Sequence, residues 1–118
     1  MSIPQSAADA TQYPVGLVFD VSFKEFSVRL RILSEDTIRF DIAEGPFAKV
    51  EEVKFKATLI RPGLFLVTWV EGSGATVVHV EDFAQGRLYS NATVPDGTFL
   101  RMEGALRVVD TATETETI

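Results

Sequence analysis

Cysteine is absent from the 118 residues, which excludes disulfide bonds and thiolate metal sites. No apolar run approaches the roughly 20 residues of a membrane-spanning helix, and no signal-type apolar stretch follows a basic amino terminus. Lysine and arginine are scattered singly in a chain of net charge −6, whereas nucleic-acid binding needs them clustered. We therefore expect a soluble, cytoplasmic protein that has neither a nucleic acid nor a membrane as its partner.

Motifs for metal, nucleotide and nucleophilic chemistry are also missing. His79 is the only histidine, so the usual pair of histidines at zinc-binding spacing is not present. No serine stands in a nucleophile-elbow context, and no glycine-rich loop leads from a strand into a helix to hold phosphate. We expect neither a metal nor a cofactor.

Apolar residues alternate at period two along most of the chain, which is typical of strands with one buried face. Short turn-like segments separate about eight such stretches, at residues 17–23, 26–33, 37–43, 53–60, 64–71, 75–83, 87–94 and 98–109. Antiparallel strands of this kind, joined mostly by tight turns, can close on themselves and so remove their exposed edges. The sequence predicts an all-β fold, a small antiparallel up-and-down barrel, with a two-sheet sandwich as the alternative.

The two ends of the chain differ in composition from its middle. Residues 1–14 are small and polar, and residues 110–118 are acidic and rich in threonine, so neither end has much to bury. We expect a flexible N-terminal segment over 1–14, a single barrel domain over 15–109 and a disordered tail over 110–118.

The later strands have two candidate inner faces. One face is almost entirely aliphatic, and the other, the mixed face, combines aromatic side chains such as Trp69 with ionisable ones such as His79. Hydrophobicity alone would turn the aliphatic face inward, but it would leave several aromatic rings together in solvent. We favour the mixed face as the barrel lining, and we expect a homodimer to bury the aliphatic face.

The loop around Pro62-Gly63 decides between these faces. A three-residue loop, Arg61 to Gly63, pairs Leu59 with Phe65 and Ile60 with Leu64, which turns the mixed face inward. A two-residue loop gives the opposite result, but a Pro-Gly type II turn fits the strand twist poorly.

Two hairpin turns set the register of the last three strands. Ala-Gln-Gly and Pro-Asp-Gly each offer two turn residues and then a glycine, which suits a type I turn with a glycine bulge. Such loops pair Phe83 with Arg87 and Val94 with Thr98. Counting back along the ladders aligns a polar row on the mixed face: His79, Asn91 and Arg101, with Glu81, Tyr89 and Glu103 one step along.

The mixed face carries the candidate site. His79 and Glu71 are the candidate catalytic residues, because histidine titrates near neutral pH and a glutamate can act as a general base. An arginine inside a barrel needs a carboxylate partner, from the protein or from a ligand. The predicted ligand-binding residues are aromatic walls and polar anchors: Phe65, Trp69, Glu81, Tyr89, Asn91, Phe99 and Arg101.

A run of residues in the second half resembles a known family. The run reads Trp69-Val70-Glu71, Val78-His79-Val80, Asp82-Phe83, Asn91, Pro95-Asp96-Gly97-Thr98-Phe99 and Gly104. It is similar to the pattern of the molybdenum cofactor biosynthesis protein F family (MoaF-like) and related stand-alone domains. The resemblance implies a calycin-like, lipocalin-type barrel and an association with molybdenum cofactor operons.

Three functions fit these observations. The first is a small-molecule-binding barrel that holds an aromatic or carboxylate-bearing metabolite in an aromatic cavity. The second is a small acid/base enzyme, such as a decarboxylase, isomerase or lyase, that uses the same cavity. The third is a protein-interaction module in which the aromatic face is exposed.

Overall fold

Residues 5–109 are described by a computed structural model. Their eight antiparallel strands close into a barrel in sequence order, with the last strand hydrogen-bonded to the first. The predicted antiparallel up-and-down barrel is thereby confirmed. Within the described residues no helix is long and apolar enough to cross a membrane. The strands are β1 Val18–Ser22, β2 Ser27–Ile32, β3 Thr37–Ile42, β4 Lys49–Arg61, β5 Leu64–Val70, β6 Thr76–Asp82, β7 Arg87–Thr93 and β8 Phe99–Val108.

Alternation along each strand decides which side chains fill the barrel. In β2, Val28, Leu30 and Ile32 are buried, whereas Arg29 lies on the outer face. There its Nε is 2.8 Å from Oδ1 of Asp20 on the neighbouring β1. The period of two therefore separates an apolar interior from a charged exterior, as the sequence predicts for these strands.

A bulge next to the β4–β5 turn fixes the inner face of β5. The turn holds two residues, Pro62 and Gly63, not the predicted three. Leu59 nevertheless pairs with Phe65, as predicted, because a β-bulge between Leu59 and Arg61 adds one residue to β4. The extra residue offsets the shorter loop, so Phe65 keeps the inward orientation that a longer loop would have given it.

The bulge changes one predicted pair. Leu64 lies opposite Arg61, so the predicted pairing of Leu64 with Ile60 is wrong. The remaining register follows the prediction, and the mixed face of β5 is buried, with Phe65, Val67 and Trp69 at 1%, 0% and 7% exposure.

The predicted register between β6 and β7 is wrong by one residue. Arg87 lies opposite Asp82, not Phe83, and the loop between them has four residues. His79 therefore lies opposite Ser90 rather than Asn91. Because side chains alternate at period two, this single step exchanges the inner and outer faces of β7.

The inward position of Phe83 explains the longer loop. Its side chain is fully buried, and its ring centroid lies 5.3 Å from that of Phe19. Asp82 stabilises the loop, since its Oδ1 accepts a hydrogen bond from the Gln85 backbone N–H at 3.0 Å. The loop glycine, Gly86, has a φ of 70°, which suits glycine far better than other residues. Burial of one aromatic ring thus outweighs the shorter turn that the A-Q-G sequence indicated.

The turn between β7 and β8 forms as predicted. The Val94 N–H donates to the Thr98 carbonyl at 3.0 Å, and Asn91 lies opposite Arg101. Since the inner and outer faces of β7 are exchanged, this correctly paired row lies outside the barrel.

Residues before β1 close one end of the barrel. A short helix, α1 Gln5–Ala8, buries Ala7, and the Ala10 carbonyl accepts a hydrogen bond from the Gly63 N–H at 2.8 Å. The Tyr13 ring packs against Phe55 and Phe65 at centroid distances of 5.2 and 5.3 Å. Part of the segment expected to be flexible, residues 1–14, therefore packs onto the barrel; residues 1–4 and the predicted tail 110–118 lie outside the described residues.

Candidate functional site

A cavity of about 290 Å³ opens at the end of the barrel opposite Tyr13. The loops before β2, β4, β6 and β8 surround its mouth, and side chains of the inner faces of the strands form its walls. Its lining is mainly apolar and aromatic, with a few polar groups. The lining includes Phe40, Lys49, Trp69, Glu71, His79 and Ser90.

His79 and Ser90 are the buried polar residues of this lining. They lie opposite each other on β6 and β7, and each is only 4% exposed. Among the described residues no protein group hydrogen-bonds to the Ser90 hydroxyl, and no hydrogen bond joins it to the His79 ring. Buried hydroxyls are normally hydrogen-bonded, so this one needs an explanation.

Glu81 orients the His79 ring through a hydrogen bond to Nδ1. Its side chain is completely buried, and its Oε2 is 3.0 Å from Nδ1 of His79. A carboxylate can only accept hydrogen bonds, so a ring nitrogen bonded to it carries the proton. Nδ1 therefore donates to Glu81, and in the neutral ring Nε2 is a hydrogen-bond acceptor.

Tyr13 is the second partner of this carboxylate. Its hydroxyl donates to Oε1 of Glu81 at 2.6 Å, so each oxygen of the buried carboxylate has a hydrogen bond. Burial, reinforced by the charge of Glu81 and by this hydrogen bond, raises the pKa of Tyr13 well above its usual value. The hydroxyl thus remains protonated at neutral pH and remains a donor. Tyr13, Glu81 and His79 form a continuous line from the capped end of the barrel to the cavity.

Trp69 forms an aromatic wall beside His79. The two rings meet edge to face, with centroids 4.7 Å apart, and the Phe40 ring lies nearly parallel to the indole at 6.0 Å, with an interplanar angle of 20°. The Trp69 Nε1–H donates to Oε2 of Glu71 at 3.2 Å. The indole is therefore fixed by both packing and a hydrogen bond.

A small ion-pair network lies at the mouth. Nζ of Lys49 is 2.7 Å from Oε1 of Glu71 and 3.4 Å from Oε1 of Glu51. Burial lowers the pKa of Lys49, but its hydrogen bonds and the charges of Glu71 and Glu51 outweigh that effect and raise the pKa overall. One cation thus faces two carboxylates, so these three groups carry a net charge of −1.

The predicted site residues are divided between the two sides of the barrel wall. Trp69, His79 and Glu81 are inside together, with Phe65 further down among the rings that contact Tyr13. Glu71 lies at the cavity mouth with both oxygens engaged. The remaining four lie on the outer face, contrary to the prediction that they line the cavity: Tyr89, Asn91, Phe99 and Arg101.

Sequence reasoning missed three important residues. Ser90 and Tyr13 were missed because the first follows from the corrected β6–β7 register and the second from a segment expected to be flexible. Lys49 was missed because residues 49–52 were not included in a strand, although Lys49 begins β4. The alternation Val50, Glu52 against Glu51, Val53 is irregular there, so no periodic signal identifies the strand start.

Side chains that could hold a metal ion do not cluster in the described part of the chain. Within residues 5–109 no group of three or more histidine, aspartate or glutamate side chains is arranged to hold a metal ion.

Comparison with known proteins identifies the family. A solved structure from Burkholderia vietnamiensis, described as "a putative beta-lactamase", is similar at a TM-score of 0.79 and 27% identity, covering 85% of this chain and 100% of that one. No curated protein sequence matches the chain. The MoaF-like family model matches residues 15–107, which is most of the barrel. The chain belongs to the MoaF-like family.

Proposed function

We propose that the protein binds a small molecule in the cavity at the open end of the barrel. The observation that carries this proposal is the pair of buried polar groups, the Ser90 hydroxyl and Nε2 of His79, which line the cavity without a protein partner among the described residues. Leaving a buried hydroxyl unsatisfied costs about 1–3 kcal/mol. A ligand that displaces solvent from the cavity avoids that cost only if it hydrogen-bonds to these two groups.

The shape and composition of the cavity support the same function. Its volume of about 290 Å³ is at the lower limit of known small-ligand sites, which are mostly apolar with a few placed polar groups. Trp69 and Phe40 offer flat rings held in fixed orientations. Rigid walls reduce the conformational entropy that binding would otherwise cost.

Binding can be tested with Trp69, which is the only tryptophan of the chain and lines the cavity. We expect compounds from a small-metabolite library to change its emission and raise the melting temperature. Ser90→Ala should weaken such binding, whereas Asn91→Ala, one residue along on the outer face, is the matched control and should not. A library that changes neither emission nor melting temperature would contradict the proposal.

A second candidate function is acid/base catalysis in the same cavity. The observation that favours it is the Glu81–His79 pair, since a carboxylate that holds the proton on Nδ1 leaves Nε2 able to accept a proton from a bound substrate. Glu71 is less suited to be the base, because Lys49 and Trp69 already occupy its oxygens. Turnover of any ligand found by screening should be lost in His79→Gln and retained in Glu71→Gln.

The description of the Burkholderia structure supplies one specific assay for this second candidate. A hydrolytic serine needs a base within hydrogen-bond reach, and Ser90 has no hydrogen bond to His79. We therefore expect no hydrolysis of the chromogenic β-lactam nitrocefin. Hydrolysis that disappears in Ser90→Ala would overturn this expectation and favour acyl transfer.

We also expect two copies of the chain to associate through the aliphatic outer face. Val70 and Val78 are 64% and 37% exposed there, and the paired residues Leu66 and Val80 adjoin them on β5 and β6. Burying the same apolar patch from two copies gives a two-fold interface. Light scattering should give the mass of a dimer for the wild type and of a monomer for Val78→Lys; a monomeric wild type would contradict this.

A further inference from the structure

We infer that the cavity selects flat, uncharged or cationic ligands that carry an N–H or O–H donor, and that it rejects carboxylates. This inference rests on the proposed function and specifies its ligand class. It departs from the expectation from the sequence, in which Arg101 lay inside the barrel and paired with a carboxylate of the protein or of a ligand. Arg101 is exposed on the outer face, opposite Asn91.

The charges around the cavity are the first argument. Lys49 is the only cationic side chain of the lining, and its ammonium is already paired with Glu71 and Glu51. Behind the His79 ring, Glu81 adds a further carboxylate, which accepts hydrogen bonds from the Tyr13 hydroxyl and the His79 Nδ1–H. A ligand carboxylate would therefore lose its hydration and meet an excess of negative charge.

The hydrogen-bonding groups of the cavity floor, which is formed by His79 and Ser90, are the second argument. Glu81 accepts a hydrogen bond from the Nδ1–H of His79, so Nε2 of the neutral ring can only accept a hydrogen bond. Ser90 beside it can both donate and accept. A ligand that donates to Nε2 satisfies this floor, whereas a carboxylate brings only acceptors.

The walls give the third argument. The Trp69 indole and the Phe40 ring are nearly parallel neighbours on one side of the cavity, and Lys49 Nζ lies 5.6 Å from the Phe40 centroid. Flat rings pack favourably on such surfaces, and aromatic faces also attract cations. Planar ligands, including planar cations such as amidines, fit this combination.

Four compounds of nearly equal shape separate charge from hydrogen-bond donation: benzamide, acetophenone, benzoate and benzamidine. Each is titrated at pH 8 while Trp69 emission is recorded, with saturation-transfer NMR as the second readout. We expect benzamidine and benzamide to bind at millimolar concentration, as their size implies. Benzoate and acetophenone should each bind about tenfold more weakly, through charge repulsion and loss of the donor respectively.

Variants at the cavity mouth test whether the charge preference comes from Lys49, Glu51 and Glu71. Glu71→Gln changes the net charge of the Lys49, Glu51 and Glu71 group from −1 to 0, so benzoate should bind better and benzamidine worse. Lys49→Met changes it to −2 and should have the opposite effect. Arg101→Gln, on the outer face, is the matched control and should leave all four affinities unchanged.

The outcomes distinguish the ligand class from the function itself. Benzoate binding as tightly as benzamide, or losing affinity in Arg101→Gln, would overturn the inference while leaving a small-molecule site in place. If none of the four compounds and no library member affects Trp69, the proposed function fails and the inference fails with it.

Discussion

The hydrogen bond from Tyr13 to Glu81 gives the sharpest test of the architecture. Tyr13→Phe removes one hydroxyl and retains the ring, so the contacts with Phe55 and Phe65 at 5.2 and 5.3 Å are preserved. Although part of the Tyr13 side chain is exposed, its hydroxyl donates to the carboxylate of Glu81, which is fully buried. The variant therefore isolates one hydrogen bond whose loss water cannot readily compensate.

The expected cost follows from the charge and burial of the acceptor. Hydrogen bonds to charged groups contribute about 1.5–3 kcal/mol, and the lost partner leaves Oε1 of Glu81 unsatisfied in the interior. We expect the free energy of unfolding to fall by about 2 kcal/mol, or about 8 °C in melting temperature for a domain of this size. Urea unfolding and calorimetry measure both quantities.

A double-mutant cycle assigns the loss to this pair. Glu81→Gln keeps the side-chain volume and removes the charge, so Tyr13→Phe should cost much less in a Glu81→Gln background. The coupling free energy between the two sites should be about 1 kcal/mol or more. If Tyr13→Phe stays within about 0.5 kcal/mol of wild type, the segment before β1 contributes nothing through this bond and the reasoning is refuted.

The same variant has a predicted pH dependence. Burial, together with Glu81, raises the pKa of Tyr13 in the folded protein above its usual value of 10.0. The tyrosine contribution is therefore complete below the unfolded pKa, about 10, and is lost as the pH rises toward the higher folded pKa. Wild type should lose up to about 1.4 kcal/mol per pH unit relative to Tyr13→Phe in that alkaline range. An unchanged difference between the two proteins from pH 8 to 11, approximately, would contradict the assignment.

Three further predictions concern the core, the capped end and the floor of the cavity. Phe83→Ala should lower the free energy of unfolding by about 3–5 kcal/mol in urea titrations, because it removes a fully buried ring; a cost below about 1 kcal/mol would contradict the four-residue loop. Gly63→Ala should destabilise the protein and shift the NMR signals of residues 7–10, since φ is 78° there and the new Cβ would meet the Ala8 carbonyl; unshifted signals would place that segment elsewhere. Nitrogen NMR should find the neutral His79 ring protonated at Nδ1, and Glu81→Gln should reduce that preference; an Nε2–H ring in wild type would contradict the proposed acceptor.

The sequence was sufficient for the architecture because alternation at period two needs no information about loops. Strand number and the inner faces of β2 to β4 follow from that alternation, and closure was favoured because it removes exposed strand edges. The site was less accessible, since membership of the cavity depends on the register between strands. Ser90 and Asn91 are adjacent in the chain, and the length of one loop decides which of them faces the interior.

Two hairpins show why loop length alone does not settle register. The β4–β5 turn is shorter than predicted, but a bulge before Arg61 preserves the pairing of Leu59 with Phe65. The β6–β7 loop is longer than predicted, and no compensating bulge follows, so the inner face of β7 is reversed. Both departures depend on tertiary contacts, above all the burial of Phe83, which local turn preferences do not contain.

The two ends of the barrel are connected through a single carboxylate. Glu81 receives Tyr13 from the capped end and His79 from the cavity, so the segment before β1 contributes to the position of the group that meets the ligand. Removing the Tyr13 hydroxyl should then weaken ligand binding as well as stability, because Glu81 would have one fewer constraint on its orientation. The outer-face variant Arg101→Gln touches neither connection, and it should leave both properties unchanged. Substitutions at Tyr13, Glu81 and His79 are therefore expected to change stability and ligand binding together, whereas substitutions elsewhere on the barrel should change the two independently.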